Sequence, residues 1–442
     1  MKKKLIMFAT AALMLTACSN DSDVVVPGGV SLQSGPSAVA FDTYTASATK
    51  AGQTGVMNTT TLQTTGFGVF ASLSNDGDYA STIGPNFMYD QEVEYAASAW
   101  TYSPLKYWPN ETTADMLNAT GHASSTATDK LSFFAYAPYV AATTAGVVTA
   151  TNSDQNNEAT PEAFEAGITA LSANNVTTDP IVSYAMAYTP SKSVDLLWGV
   201  APSGGLSYTD VAGNTVSVAS GLPLKNLTKP SKDQKIKFLF KHALARLGLT
   251  VVAAVDQVAA GGNLDAATKI FVNSVTIEDA ASPKVLAPTG TLNLNNASAG
   301  VANWTLGTKE KFNLVINSAK SNINTDLLSP SGAGVTTAEK DVIADGKYFM
   351  IIPTEGNAKA KFKVTIDYDV VTTDAALNGG KSTVNNVIWK EIMVGDDTNG
   401  FTNNKAYKLK LILGLTSVKL EAEVADWEVD GSINVDLPRN QE

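Results

Sequence analysis

The stretch Phe362-Lys363-Val364-Thr365-Ile366-Asp367-Tyr368 sets apolar and polar side chains on alternate positions. An extended backbone turns every second side chain to the same side, so this pattern is a strand with one buried face. Tyr407, Leu409, Leu411 and Leu413 repeat it, as do Ile236, Phe238 and Phe240. The rest of the chain is rich in Ala, Thr, Val and Ser and poor in charge. Gly, Asn, Asp and Pro cut it into short runs, which is how strands separated by turns read. Gly66-Phe67-Gly68-Val69-Phe70-Ala71 is one such run. Leu131 to Pro138 is another, apolar and aromatic, ending at a proline that cannot continue a ladder. Trp100-Thr101-Tyr102 and Lys106-Tyr107-Trp108-Pro109 bracket a tight connection.

One helix is expected, capped by Thr160 and begun by Pro161, with Phe164, Ile168 and Leu171 on one face. No solenoid-type repeat is present. These signals predict an all-β chain of two β-sandwich domains in tandem. The Lys/Pro/Asn-rich stretch Leu222 to Lys235 lies between them, with the first domain over 38–230 and the second over 231–442.

The first residues read differently. Lys2, Lys3 and Lys4 precede an apolar core from Leu5 to Leu15, then Thr16, Ala17 and Cys18. Charge, short apolar core, small residues and cysteine in that order read as a lipoprotein signal over 1–17, with Cys18 carrying the diacylglycerol. An ordinary secretory signal with a chance cysteine is the alternative. The apolar run is shorter than the ~20 residues that span a bilayer, so attachment rests on acyl chains, each buried methylene contributing about 0.8 kcal/mol. Residues 18–37 are polar and aperiodic and read as a lipidated tether, with an acidic start at Ser19 to Asp23.

Cys18 is the only cysteine among 442 residues, so an exported chain has no disulfide and must rest on a hydrophobic core. Without the three signal lysines the chain keeps 28 Lys+Arg against 42 Asp+Glu, a formal charge of −14. That balance argues against nucleic acid and against electrostatic docking on anionic lipid.

Catalytic and metal chemistry is thin. The two histidines, His122 and His242, lie far apart, with no zinc-type ligand spacing, no GxSxG and no P-loop. His242, in Phe240-Lys241-His242, reads as a strand or packing histidine rather than a ligand or base. Asn75-Asp76-Gly77-Asp78 and Asp396-Asp397 could hold calcium, but neither completes an EF-hand loop, and solvated turns are the simpler reading. The expectation is no cofactor, no metal and no enzyme activity. Trp100, Tyr102, Tyr107 and Trp108 form the densest aromatic cluster, either core or a glycan platform, with core preferred.

The end of the chain alternates again. Trp427, Val429, Gly431, Ile433, Val435 and Leu437 are separated by Glu428, Asp430, Ser432, Asn434 and Asp436. An amphipathic strand at a terminus must find an edge, within its own sheet or in a neighbouring subunit.

The ordered motifs resemble the fimbrillin family of Bacteroidetes lipoproteins, subunits of type V pili. They are the Cys18 lipobox, FGVFA (67–71), WTYSPLKYWPN (100–110), LSFFAYAP (131–138), FLFKHALARLGL (238–249), YFMIIPT (348–354), NNKAYKLKL (403–411) and VADWE (424–428). The resemblance implies transthyretin-like sandwiches and an outer-membrane lipoprotein at the cell surface. Its partners would be other pilus subunits and a possible host or bacterial surface ligand. It also implies polymerisation by strand exchange: a protease removes the leading strand, here near Val39 to Thr45, by a cut at Lys50–Ala51. A neighbour's Val429, Ile433, Val435 and Leu437 then fill the groove. One departure stands out. The family cut typically follows arginine, and none precedes Arg246. Either a lysine-accepting protease acts at Lys50, or the subunit stays lipidated as an anchor. The alternative function is a surface glycan-binding lipoprotein of a nutrient-uptake system, and a hydrolase with scattered carboxylates is a third.

Overall fold

The computed structural model describes residues 38–45, 56–75, 77–109, 129–148, 167–231, 234–253, 268–316, 326–328, 340–341, 348–354, 359–395, 400–413 and 418–426. All of them lie within one compact unit, Ser37–Glu442. The chain is all-β. The first sheet runs Phe41–Thr45, Ile236–His242, Leu197–Val200, Lys130–Ala137, Phe67–Ser74, Met88–Ala96, Ala99–Thr101, and Leu224–Leu227 also pairs with Lys130–Ala137. The strand Ile236–His242 therefore sits among strands from the first half of the chain. A four-stranded sheet, Asn303–Leu306, Thr289–Asn293, Ile181–Ala185 and Gly167–Leu171, likewise draws on both sides of residue 230.

The second half contributes two further sheets. One has the order Lys340–Asp341, Ala245–Ala253, Lys405–Leu413, Val418–Asp426, with Phe349–Ile351 also on Ala245–Ala253. The other has the order Asn313–Ile316, Thr268–Asp279, Ala360–Thr373, Lys381–Val394, with Asp326–Leu328 also on Thr268–Asp279. The alternating stretch Phe362–Tyr368 lies in Ala360–Thr373, with Phe362, Val364, Ile366 and Tyr368 buried. Tyr407, Leu409, Leu411 and Leu413 face the same core from the opposite sheet.

Two strands of the first sheet break the alternation for a physical reason. Phe67, Val69, Leu131 and Phe133 pack in one cluster, while Phe70, Phe134 and Tyr136 pack in another on the other face. A strand covered on both faces can be apolar at every position. Gly68 belongs to this packing: a Cβ there would meet the Tyr136 ring at 2.3 Å.

The expected helix is corrected. Residues 160–166 lie outside the described residues, but Gly167–Leu171 is a strand paired with Ile181–Ala185. The register slips between Ile168 and Ala170, so Ile168 and Leu171 are both buried although three residues apart. A β-bulge thus imitates helical spacing. Gly167 has φ +117, which no helix accommodates. A helix that the motif reading passed over spans Thr59–Thr65. Asn58 caps it reciprocally with Thr61, whose backbone N–H donates to Asn58 Oδ1 at 2.9 Å.

Candidate functional site: the groove of the leading strand

The leading strand, Phe41–Thr45, falls where the displaced strand is expected. Among the described residues it is the terminal strand of its sheet, and it pairs in parallel with Ile236–His242, from Phe41↔Ile236 to Thr45↔Phe240. Alternation decides its orientation: Phe41, Thr43 and Thr45 are buried, and Asp42 and Tyr44 are partly exposed. Phe41 fills the centre of an aromatic nest. Its ring centroid lies 5.4 Å from Tyr102, 5.8 Å from Phe133, 6.1 Å from Phe238 and 6.2 Å from Phe67.

Hydrogen bonds tie the start of the strand on both sides. The Ile236 N–H donates to Ala40 O at 2.7 Å, and the Val39 N–H donates to Lys106 O at 2.9 Å. The Tyr102 hydroxyl donates to Val39 O at 2.7 Å. The segment with Trp100, Tyr102 and Trp108 therefore walls the groove. Tyr102 and Trp108 are buried, Trp108 against Phe133, and Trp100 is partly buried against Phe67. Only Tyr107 is exposed, so the four rings do not form an open platform.

The seat of the leading strand is imperfect. Thr43 is buried on the Phe41 side, and its Oγ1 has no hydrogen-bond partner. Among the described residues, the Thr45 hydroxyl pairs across to Thr59 Oγ1 at 2.9 Å. An apolar side chain at Thr43 would avoid the cost of burying an unpaired hydroxyl, about 1–3 kcal/mol.

Downstream, a separate anchor holds the chain. The Met57 N–H donates to Asp195 Oδ2 at 2.9 Å, and His242 Nδ1 lies 2.7 Å from the same oxygen. Asp195 and His242 are both buried. His242 is thus a packing histidine that positions a carboxylate, and the pair fixes the chain beyond residue 55 from the far end of the strand that flanks the leading strand, beside the Thr45–Thr59 link. Motif reading gave no sign of this link, because its members lie at 57, 195 and 242.

The other sequence-derived site residues are Cys18, Lys50, Ala51, Val429, Ile433, Val435 and Leu437. All lie outside the described residues, as do His122, Asp76, Asp396 and Asp397. Asp78 pairs with Lys130 Nζ at 2.6 Å. Among the described residues, no three His, Cys, Asp or Glu side chains come together as a metal site. No helix among them is long and apolar enough to cross a membrane.

No family model matches the chain. Fimbrium subunit Fim1C from Phocaeicola vulgatus (strain ATCC 8482) is 22% identical over 459 residues, covering 99% of this chain and 100% of that protein. The crystal structure of a fimbrial protein from Bacteroides vulgatus ATCC 8482 superposes with a TM-score of 0.54 at 19% identity, covering 88% of this chain and 99% of the other. The resemblance read from the motifs therefore holds: the chain is a homologue of a fimbrium subunit across almost its entire length, and its fold is that of a fimbrial protein.

Proposed function

We propose that this chain is a non-catalytic structural subunit of a cell-surface pilus, exported as a lipoprotein on Cys18 to the outer membrane and polymerised by strand exchange. The observation that carries the reading is the leading strand. It is terminal in its sheet, its Phe41 is buried in an aromatic nest, and it is followed by the stretch with Lys50–Ala51. A cut there severs the strand from the body, while Met57 remains bonded to Asp195. Departure of the strand bares the backbone edge of Ile236–His242 and the faces of Phe67, Phe133 and Phe238. Unpaired edges of this kind demand a new strand.

The direction of exchange follows from side chains. The resident strand offers Phe41, Thr43 and Thr45. The terminal stretch of a neighbour offers Val429, Ile433, Val435 and Leu437. Replacing the buried threonines by aliphatic residues favours the incoming strand at those positions, each fully buried aliphatic side chain contributing about 1.5–3 kcal/mol, against the loss of the similar contribution of Phe41. Head-to-tail repetition of this step builds an open fibre.

The test is N-terminal sequencing of the protein from cells, separated into membrane-bound and sheared fractions. A start at Ala51 in the sheared filaments is the expected result. Filaments whose subunits all begin at Cys18, or that lack the protein, would refute the exchange step.

A further inference from the structure

The strand Lys381–Val394 ends its sheet. It pairs residue for residue with Ala360–Thr373, from Ala360↔Val394 to Thr373↔Lys381, without a register shift. Among the described residues no strand pairs with its outer edge. Edge strands are ordinarily blunted by brevity, bulges, proline or charged side chains, and the charges of this one are Lys381, Lys390 and Glu391. This one is 14 residues long and has no proline, and Val387 (61% exposed), Trp389 (57%) and Met393 (49%) stand on one face. Neighbouring side chains hold that face in order. Lys363 Nζ lies 5.0 Å from the Trp389 ring centroid, Lys361 pairs with Glu391 at 2.7 Å, and the Asn385 amide donates to Asp367 and Asp369 at 2.7 Å each.

We propose that this edge is an interface between two copies of the chain, joined antiparallel about a twofold axis at Ile388. Such an axis stands normal to the sheet and must set one residue opposite itself, and opposed residues share a face. With Ile388 on the axis, Val387 meets the second copy's Trp389 and Val384 meets its Ile392. Asn385 meets Glu391 and Asn386 meets Lys390. Between 384 and 392 apolar positions oppose apolar ones, and Lys390 and Glu391 oppose amides; beyond, Met393 meets Thr383 and Val394 meets Ser382, and no like charges face. Moving the axis to Val387 or Trp389 instead sets Ile388 against Asn386 or Lys390. The self-complementarity of the sequence about Ile388 is what selects a second copy as the occupant. The pairing uses neither the leading strand nor the terminal stretch, so its failure would leave the strand-exchange reading intact.

Cysteine cross-linking tests the register. Replacing Cys18 by Ser leaves a full chain without thiols, to which one cysteine is added. At the axis, opposed Cα atoms lie ~4.5–5.5 Å apart, within disulfide reach. Two copies of residue 384 would be roughly 27 Å apart at ~3.4 Å per residue. Under mild oxidation Ile388→Cys should form a disulfide dimer at least tenfold faster than Val384→Cys. Equal rates, or a maximum at another position, overturn the proposal. Sedimentation velocity of the chain with native Ile388 gives an independent reading. A reversible dimer is expected, and Val387→Lys, on an exposed side chain, should weaken it at least tenfold. A monomer throughout, or an intramolecular disulfide between cysteines placed at 388 and 433 in place of the dimer, also overturns it, the latter by making the chain's own terminal stretch the occupant.

Discussion

Thr43 concentrates the logic of the leading strand in one hydroxyl. Its Oγ1 is buried without a partner, so Thr43→Val should raise the stability of the intact chain by about 1 kcal/mol. The same change should slow polymerisation after cleavage, because the resident strand then fits its groove better; denaturant melts and light scattering measure the two effects. Asp90 supplies a different test. Burial pushes its carboxyl up to about 6, against the opposing pull of the hydrogen bond from Tyr136. The Tyr136 hydroxyl lies 2.6 Å from Asp90 Oδ1 and 3.0 Å from Val140 O, and the Ala142 N–H donates to Asp90 Oδ2 at 2.9 Å. A protonated Asp90 can therefore donate to Tyr136 while Tyr136 donates to Val140. The folded state holds this proton up to about pH 6, whereas the unfolded chain releases it near the ordinary carboxyl value of 3.8. This group's contribution to stability is thus highest below pH 4 and is lost as pH rises toward 6, by roughly 2 kcal/mol. Asp90→Asn should remove that slope from a stability–pH profile, with little backbone strain, since Asn tolerates the φ of +42 at this position.

The leading strand and the anchor behind it have separable roles. Phe41–Thr45 rests on side chains around one groove, whereas Met57 is held by Asp195 and His242. Asp195→Ala should cost about 3 kcal/mol by removing the acceptor of the buried Met57 N–H and the carboxylate beside His242. Hydrogen exchange should then rise at Met57 and along Thr59–Thr65, while the amides of the leading strand change little; equal loss at both would show one cooperative element. Whether these elements could be read in advance depended on their surroundings. Ala360–Thr373 and Lys405–Leu413 each have one buried face and alternate cleanly in sequence. Lys130–Ala137 is buried on both sides and reads as an apolar run. Gly167–Leu171 misled through its bulge, which put Ile168 and Leu171 at a helical spacing.

For the molecule as a polymerising unit, the terminal stretch carries the sharpest expectation. Deleting residues 428–442 should abolish growth of filaments while leaving the thermal unfolding of the monomer within a few degrees of the full chain. A large fall in Tm with retained assembly would contradict the donor role. Much of the molecule was legible before its structure. The all-β class, the strands at 236–240, 362–368 and 407–413, and the likeness to fimbrial subunits rest on side-chain period and motif order, which the chain carries locally. Tertiary structure alone decided that Ile236–His242 completes the first sheet and flanks the leading strand in parallel. It also decided that Tyr102 and Trp108 wall a groove, and that Asp195 and His242 anchor Met57. The reason is physical: a period of two tells which side of a strand is buried, but the choice of neighbour depends on contacts between residues about 40 to 195 positions apart, and those leave no local pattern.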